Sequence, residues 1–184
     1  MSRSTLEDTR AWVRDLVRSG LLAPDALEAE VTGAVATDHP ELPAAETARS
    51  WIAEERAAWA ADAQAWPVPT DHDRLQAAFA RLEQHGIEVL QGCADHWVAR
   101  DLLRRRGDDP PRGVAWFTPP DVWHAIDEGM LEVNLWHGTT ANAAPGDELL
   151  DEAIGCFAAE GLPAHFDEGR IEVSAHWRRR PGDG

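Results

Sequence analysis

Residues 70–90 read TDHDRLQAAFARLEQHGIEVL, and inside this stretch the rhythm changes from that of a helix to that of a strand. Thr70 is a helix-capping residue, and Asp71 and Asp73 fall in the first turn, where the helix dipole favours negative charge. Leu75, Ala78, Phe79 and Leu82 recur at helical spacing on one face, and Gly86 is the natural stop. From Ile87 to about Gln91 the chain reads as a strand. A helix that passes into a strand through a single glycine predicts helices packed on a sheet.

Downstream the same alternation continues. The spacing predicts a helix over Asp95–Arg106, with Trp97, Val98 and Leu102 inward and Arg104, Arg105 and Arg106 at its negative end. A strand follows over Arg112–Phe117, and Thr118-Pro119-Pro120-Asp121 opens a short helix to Glu128. Gly129 then turns the chain into MLEVNLWHG, residues 130–138. A helix over Asp147–Glu160 is expected to bury Leu150, Ile154 and Phe157, and AHFDEGRIEVSAHW, residues 164–177, reads as a hairpin turning at Asp167-Glu168-Gly169. These elements predict an α+β domain over 66–184, with a ferredoxin-like or mixed β-sheet and helices packed on it.

Upstream, Trp66-Pro67-Val68-Pro69 cannot continue a helix, because each proline lacks a donor and pushes its predecessor to extended geometry. This places a boundary. Residues 1–65 read as a helical segment of three helices. The first opens at Thr5-Leu6-Glu7-Asp8, carries Leu6, Trp12, Val13, Leu16 and Val17, and stops at Gly20. The second runs from Pro24 to the Asp38-His39-Pro40 turn, and the third, about 44–65, carries Ala48, Trp51, Ile52, Trp59 and Ala63 on one stripe.

The formal charge is −16, with 6 Arg against 12 acidic residues before Trp66 and 11 against 21 after it. Such a surface repels nucleic acid and anionic membrane and draws in basic partners. No apolar run is long enough for a membrane span, and the start, MSRSTLEDTRAWVRDL, has charges where a signal peptide has its apolar core. A cytoplasmic location is expected. The 2 cysteines, Cys93 and Cys156, are far apart and are read as small core residues. There is no lysine, so neither a Schiff-base lysine nor a P-loop lysine exists. Arginine and alanine usage points to a GC-rich bacterial genome.

Four of the 8 histidines adjoin one of the 9 tryptophans, in His96-Trp97, Trp123-His124, Trp136-His137 and His176-Trp177. Chance predicts roughly one such pair. In a strand neighbours face opposite ways, so Leu131, Val133, Leu135 and His137 share one face and Glu132, Asn134 and Trp136 the other. In the terminal strand Ile171, Val173, Ala175 and Trp177 share one face, leaving His176 with Glu172 and Ser174. A tryptophan on a polar face calls for a helix, a ligand or a partner over it. The candidate contact residues are therefore His96, Trp97, Trp116, Trp123, His124, Trp136, His137 and His176.

No G-x-S-x-G elbow, GxGxxG turn, Walker A or HExxH motif occurs, and no cofactor is expected. His72 between Asp71 and Asp73, His96 after Asp95, and Asp121 three positions before His124 could ligate a metal. The first-turn charge role explains Asp71 and Asp73 better. The clusters Arg104–Arg106 and Arg178–Arg180 are assigned to helix ends and to pairing with acidic residues.

The run Trp66-Pro67, Thr70-Asp71, Asp73-Arg74-Leu75, Ala78-Phe79, Leu82 and Gly86-Ile87 resembles the central signature of a bacterial family of domains of unknown function, DUF6891. The likeness continues through Asp121, Ala125, Gly129, Leu131, Gly161-Leu162 and Trp177. Where members of that family show an aromatic-histidine step before the acidic helix start, this sequence has Phe117-Thr118-Pro119-Pro120-Asp121. The helix-strand unit DRLQAAFARLEQHGIEV is also similar to one in the acidic regulator of ribonuclease E activity, a ferredoxin-like protein that binds and inhibits an enzyme. That likeness implies a fold and a mode of action by analogy alone.

Charge, missing catalytic motifs and surplus tryptophan together favour a non-enzymatic cytosolic binding protein that docks and regulates a protein partner, in particular a basic one. The alternative is a small-molecule-binding domain or enzyme whose pocket collects Trp116, Trp123, Trp136 and nearby histidines.

Overall fold

Three helices start at a threonine whose partner aspartate lies three residues on, and the computed structural model, which describes residues 5–182, shows why. The Thr5 and Thr70 hydroxyls accept the backbone N–H of Asp8 and Asp73, each at 3.1 Å, and each aspartate carboxylate accepts the threonine N–H in return. At Thr118 both the backbone N–H and the hydroxyl donate to the Asp121 carboxylate, at 2.7 Å. Donors that the first helical turn leaves open are thereby satisfied.

By its contacts the chain falls into two compact units, one comprising the chain up to Pro67 with the segment from Arg179 onward, the other Val68–Arg178. The first holds α1 (Leu6–Ser19), α2 (Pro24–Asp38) and α3 (Ala44–Asp62), which tightens into a 3-10 turn over Ala63–Ala65. Val13, Leu16 and Val17 of α1, Leu27, Val31 and Val35 of α2, and Trp51, Ile52 and Trp59 of α3 are buried together. Leu6, expected on the apolar face, is exposed in the first turn. His39 is buried, with its Nε2 at 2.9 Å from the Thr9 hydroxyl. The returning C-terminal segment completes this unit. The Trp59 indole donates to the Arg179 carbonyl at 2.9 Å, and the Arg180 guanidinium donates to the carbonyls of Ala63, Trp66 and Pro67 at 2.9, 3.2 and 3.0 Å.

The second unit runs α4 (Asp71–Gln84), β1 (Ile87–Leu90), α5 (His96–Arg106), β2 (Gly113–Trp116), α6 (Pro119–Asp127), β3 (Met130–His137), α7 (Glu148–Ala159), β4 (Ala164–Asp167) and β5 (Arg170–Ser174). Its sheet has the order β1-β2-β3-β5-β4, with β1 and β2 parallel and the other neighbours antiparallel. A parallel pair needs a crossover, and α5 supplies it. The mixed sheet with helices packed on it is the architecture expected from the sequence.

Alternation along the strands divides the side chains between two faces. Ile87, Ala115, Leu131, Val133, Leu135, Ile171 and Val173 form one buried set. An aromatic core lies with it, in which Phe79 of α4 meets Phe117 at 5.6 Å and Phe157 of α7 at 6.1 Å, and Phe117 meets Trp177 at 5.9 Å. The terminal alternation holds past the end of β5, since Ala175 and Trp177 are buried like Ile171 and Val173. In α7 the buried residues are Leu149, Leu150, Ala153, Cys156 and Phe157, and Ile154 is only half-buried.

On the opposite face α5 lies over β2. Its buried residues are Ala99 and Leu103, packed on Val114 and Trp116, with Leu102 half-buried. Of the expected inward residues Leu102 packs against this cluster and Val98 is half-buried, but Trp97 is corrected to the outside: the Asp95 carboxylate accepts the Trp97 N–H at 2.8 Å and starts the helix so that Ala99, one helical turn before Leu103, faces the sheet. A small residue there lets the helix approach, and the bulky indole is turned out.

Backbone φ at Gly129 is +72°, and a Cβ there would stand 2.6 Å from the His176 imidazole. Only glycine fits both demands. Among the described residues no helix is long and apolar enough to cross a membrane.

Candidate functional site

The register of β2 against β3 sets Val114 opposite Trp136 and Trp116 opposite Asn134. All four lie on the face that α5 covers, so the helix is what the polar-face tryptophan required. Trp116 and Trp136 meet edge to face at 5.4 Å between ring centroids, an arrangement that the ring quadrupoles favour. His96, the first residue of α5, approaches Trp136 at 6.5 Å and lies against Trp97 at 4.7 Å. The four rings form one continuous ridge that rises from the buried interior to the surface. Trp116 at its base is 8% exposed, and Trp97 at its tip is 51% exposed. The Arg100 guanidinium carbon lies 5.2 Å from the Trp97 ring centroid.

The base of the ridge holds an unusual donor. Trp116 Nε1 is buried and has no hydrogen-bond partner, although the Trp116 carbonyl accepts the Asn134 amide at 3.4 Å. Leaving a buried N–H unpaired costs about 1–3 kcal/mol. Cys93 packs beside the ridge, half-buried, with its thiol 3.6 Å from the Asp95 carbonyl. Burial pushes this thiol up from its ordinary range, and the carboxylates of Asp95 and Asp121 add to the rise. The sulfur therefore stays protonated near neutral pH and is a poor nucleophile.

The remaining candidates do not join the ridge. Trp123 and His124 lie half-buried on α6, and Trp123 Nε1 is a second buried donor without an acceptor. His137 follows Trp136 in β3 and so faces the other way, where its Nε2 lies 3.0 Å from Asp147 Oδ2. His176 stands over Gly129, and its backbone N–H donates to Asp71 at 3.1 Å. Among the described residues no ring contact links these four to the ridge, and no three His, Cys, Asp or Glu side chains converge to hold a metal ion. Arg100 was not among the sequence candidates, although its position three residues after Trp97 on a helix was a readable signal. Asn134 and Asp147 reach their partners through register and loop closure, which leave no local mark.

The His137–Asp147 pair makes a testable statement about pH. The His137 imidazole, followed by the Ala144 N–H at 2.8 Å, holds the Asp147 carboxyl below the usual aspartate range. A depressed folded value means that the carboxylate stabilises the 138–146 loop above its unfolded pKa of about 3.9, and that this is lost as pH falls through the lower folded value. The Asp147 side-chain carboxyl carbon resonance is expected to titrate with its midpoint below the ordinary aspartate value. Asp147→Asn should abolish the transition, and a midpoint above the ordinary aspartate value would contradict the geometry.

Neither the curated proteins nor the solved structures yield a match, so the partial likeness to the acidic regulator of ribonuclease E activity is not carried further. The whole-chain resemblance fares differently. The sequence model of the family described as Domain of unknown function (DUF6891) matches residues 2–181, nearly the full length, and the chain belongs to that family.

Proposed function

We propose that this protein is a cytoplasmic binding protein that acts by docking a protein partner and regulating it, and that the partner seats on the ridge ending in Trp97. One observation carries the reading: a half-exposed indole lies against His96, which in turn meets Trp136 and through it the buried Trp116. Tryptophan is prominent in binding hot spots, and an anchor that is already ordered loses little entropy on association. Burying the exposed half of this indole is worth about 2–3 kcal/mol. The net charge of −16 supplies long-range attraction for a basic surface.

Replacing Trp97 by alanine tests this on the full chain. The expected result is that a partner co-purified with the wild-type protein binds at least roughly tenfold more weakly, while the melting temperature is unchanged because the side chain is exposed. Retention of the partner at wild-type affinity would overturn the reading.

A second reading has its own observation. The unpaired Trp116 Nε1, among aromatic walls, supports a small ligand that brings a hydrogen-bond acceptor. A compound serving that donor should raise the melting temperature of the wild-type protein and not of Trp116→Phe. Equal rises in both would remove the assignment.

A further inference from the structure

We infer that the partner presents an arginine to Trp97, and that Arg100 is a placeholder occupying the indole until that arginine arrives; this rests on the binding reading above. The chain displays the chemistry in cis. Arg100 Cζ lies 5.2 Å from the ring centroid, within cation–π range, so the tip of the ridge already holds a guanidinium. Arg100 makes no ion pair or side-chain hydrogen bond among the described residues and has only its ring contact with Trp97, whereas on the same helix Arg104 pairs with Asp101 at 3.2 Å and Arg106 with Glu88. A side chain held by one exposed cation–π contact leaves with little loss. An incoming guanidinium restores the same contact, while an apolar group would not.

Charge around the ridge favours the same occupant. Asp95 caps α5 at the foot of Trp97, and Asp95 and Asp121 act electrostatically on Cys93 beside the cluster; α5 itself carries Arg100, Arg104, Arg105 and Arg106 against Asp101, with its last three arginines at the far end of the helix from the ridge. Over residues 68–178 there are 9 arginines against 20 acidic residues. A cationic segment is drawn toward this surface, and an acidic one is repelled. Arginine suits the tip better than lysine because its planar, weakly hydrated guanidinium stacks on an indole. When Arg100 swings away, its charge is released beside these carboxylates, which can pair with it.

The test follows the Trp97 indole N–H resonance of the full-length protein during titration with a capped Gly-Arg-Gly-Arg-Gly peptide. The matching lysine and norleucine peptides are run in parallel. The arginine peptide is expected to shift the resonance with an affinity that weakens as salt rises, the lysine peptide to bind more weakly and the norleucine peptide not at all. Arg100→Ala and Arg100→Gln, the second keeping a long helix-favouring side chain, should each tighten binding by roughly three- to tenfold. Trp97→Ala should abolish the site, read from neighbouring α5 amides. Equal binding of the norleucine peptide, or Arg100 variants that bind no better than wild type, would overturn the inference. The two readings fail separately: a partner lost on Trp97→Ala together with an inert arginine peptide sinks only this inference, whereas a partner indifferent to Trp97→Ala sinks the binding reading itself.

Discussion

Phe117→Ala is expected to lower the unfolding free energy of the α/β unit by about 3–5 kcal/mol, the range for removing a fully buried phenylalanine. The ring is wholly buried and touches Phe79 of α4 and Trp177 of the terminal segment, so one substitution opens a cavity that three parts of the chain share. The surroundings cannot collapse into it easily. The Phe117 N–H donates to the Leu90 carbonyl at 3.3 Å and its own carbonyl accepts the Cys93 N–H at 3.0 Å, which fixes the backbone on both sides. Urea titration followed by tryptophan fluorescence would measure the loss. Phe117→Leu, which fills most of the space, should cost clearly less, and a Phe117→Ala loss below about 1 kcal/mol would mean that the cavity closes and the packing is looser than described.

Arg180→Ala is expected to destabilise the helical unit by about 2–3 kcal/mol, since one guanidinium serves three backbone carbonyls. Those carbonyls belong to Ala63, Trp66 and Pro67, where α3 has tightened and the prolines prevent any further helical turn. A helix end leaves acceptors without intrahelical donors, and a cation there also meets the negative end of the dipole. The sequence expectation for the Arg178–Arg180 cluster was helix-end placement and pairing with acidic side chains. Arg180 takes a helix-end place but pairs with backbone, because the terminated helix presents acceptors in three directions and a planar fork can reach them together. Hydrogen exchange around residues 59–67 would report the change. Arg180→Lys, with charge but no fork, should recover only part of the loss, and protection equal to wild type in Arg180→Ala would show that solvent satisfies these carbonyls equally well.

The helices and strands of this protein can be read from neighbouring residues. Thr5, Thr70 and Thr118 mark helix starts because the cap and its aspartate lie within one turn, and MLEVNLWHG declares a strand because alternation acts between nearest neighbours. It also foretold that Trp136 needs a cover and that His137 faces away from it. What that cover is, and which rings meet, came from packing between segments distant in the chain. The helix spacing around residue 97 pointed Trp97, Val98 and Leu102 inward, and Ala99 was selected instead of Trp97 by the surface of Val114 and Trp116 across the sheet. Strand register, set by pairing between segments far apart in the chain, brought Trp116 to Trp136 and left His124, His137 and His176 elsewhere. The return of the terminal arginines to the first helices likewise rests on contacts more than a hundred residues apart in sequence. Local hydrogen bonding and periodicity can be read from neighbouring residues; the choice of buried face is made by the energy of packing against a surface that exists only once the chain has folded.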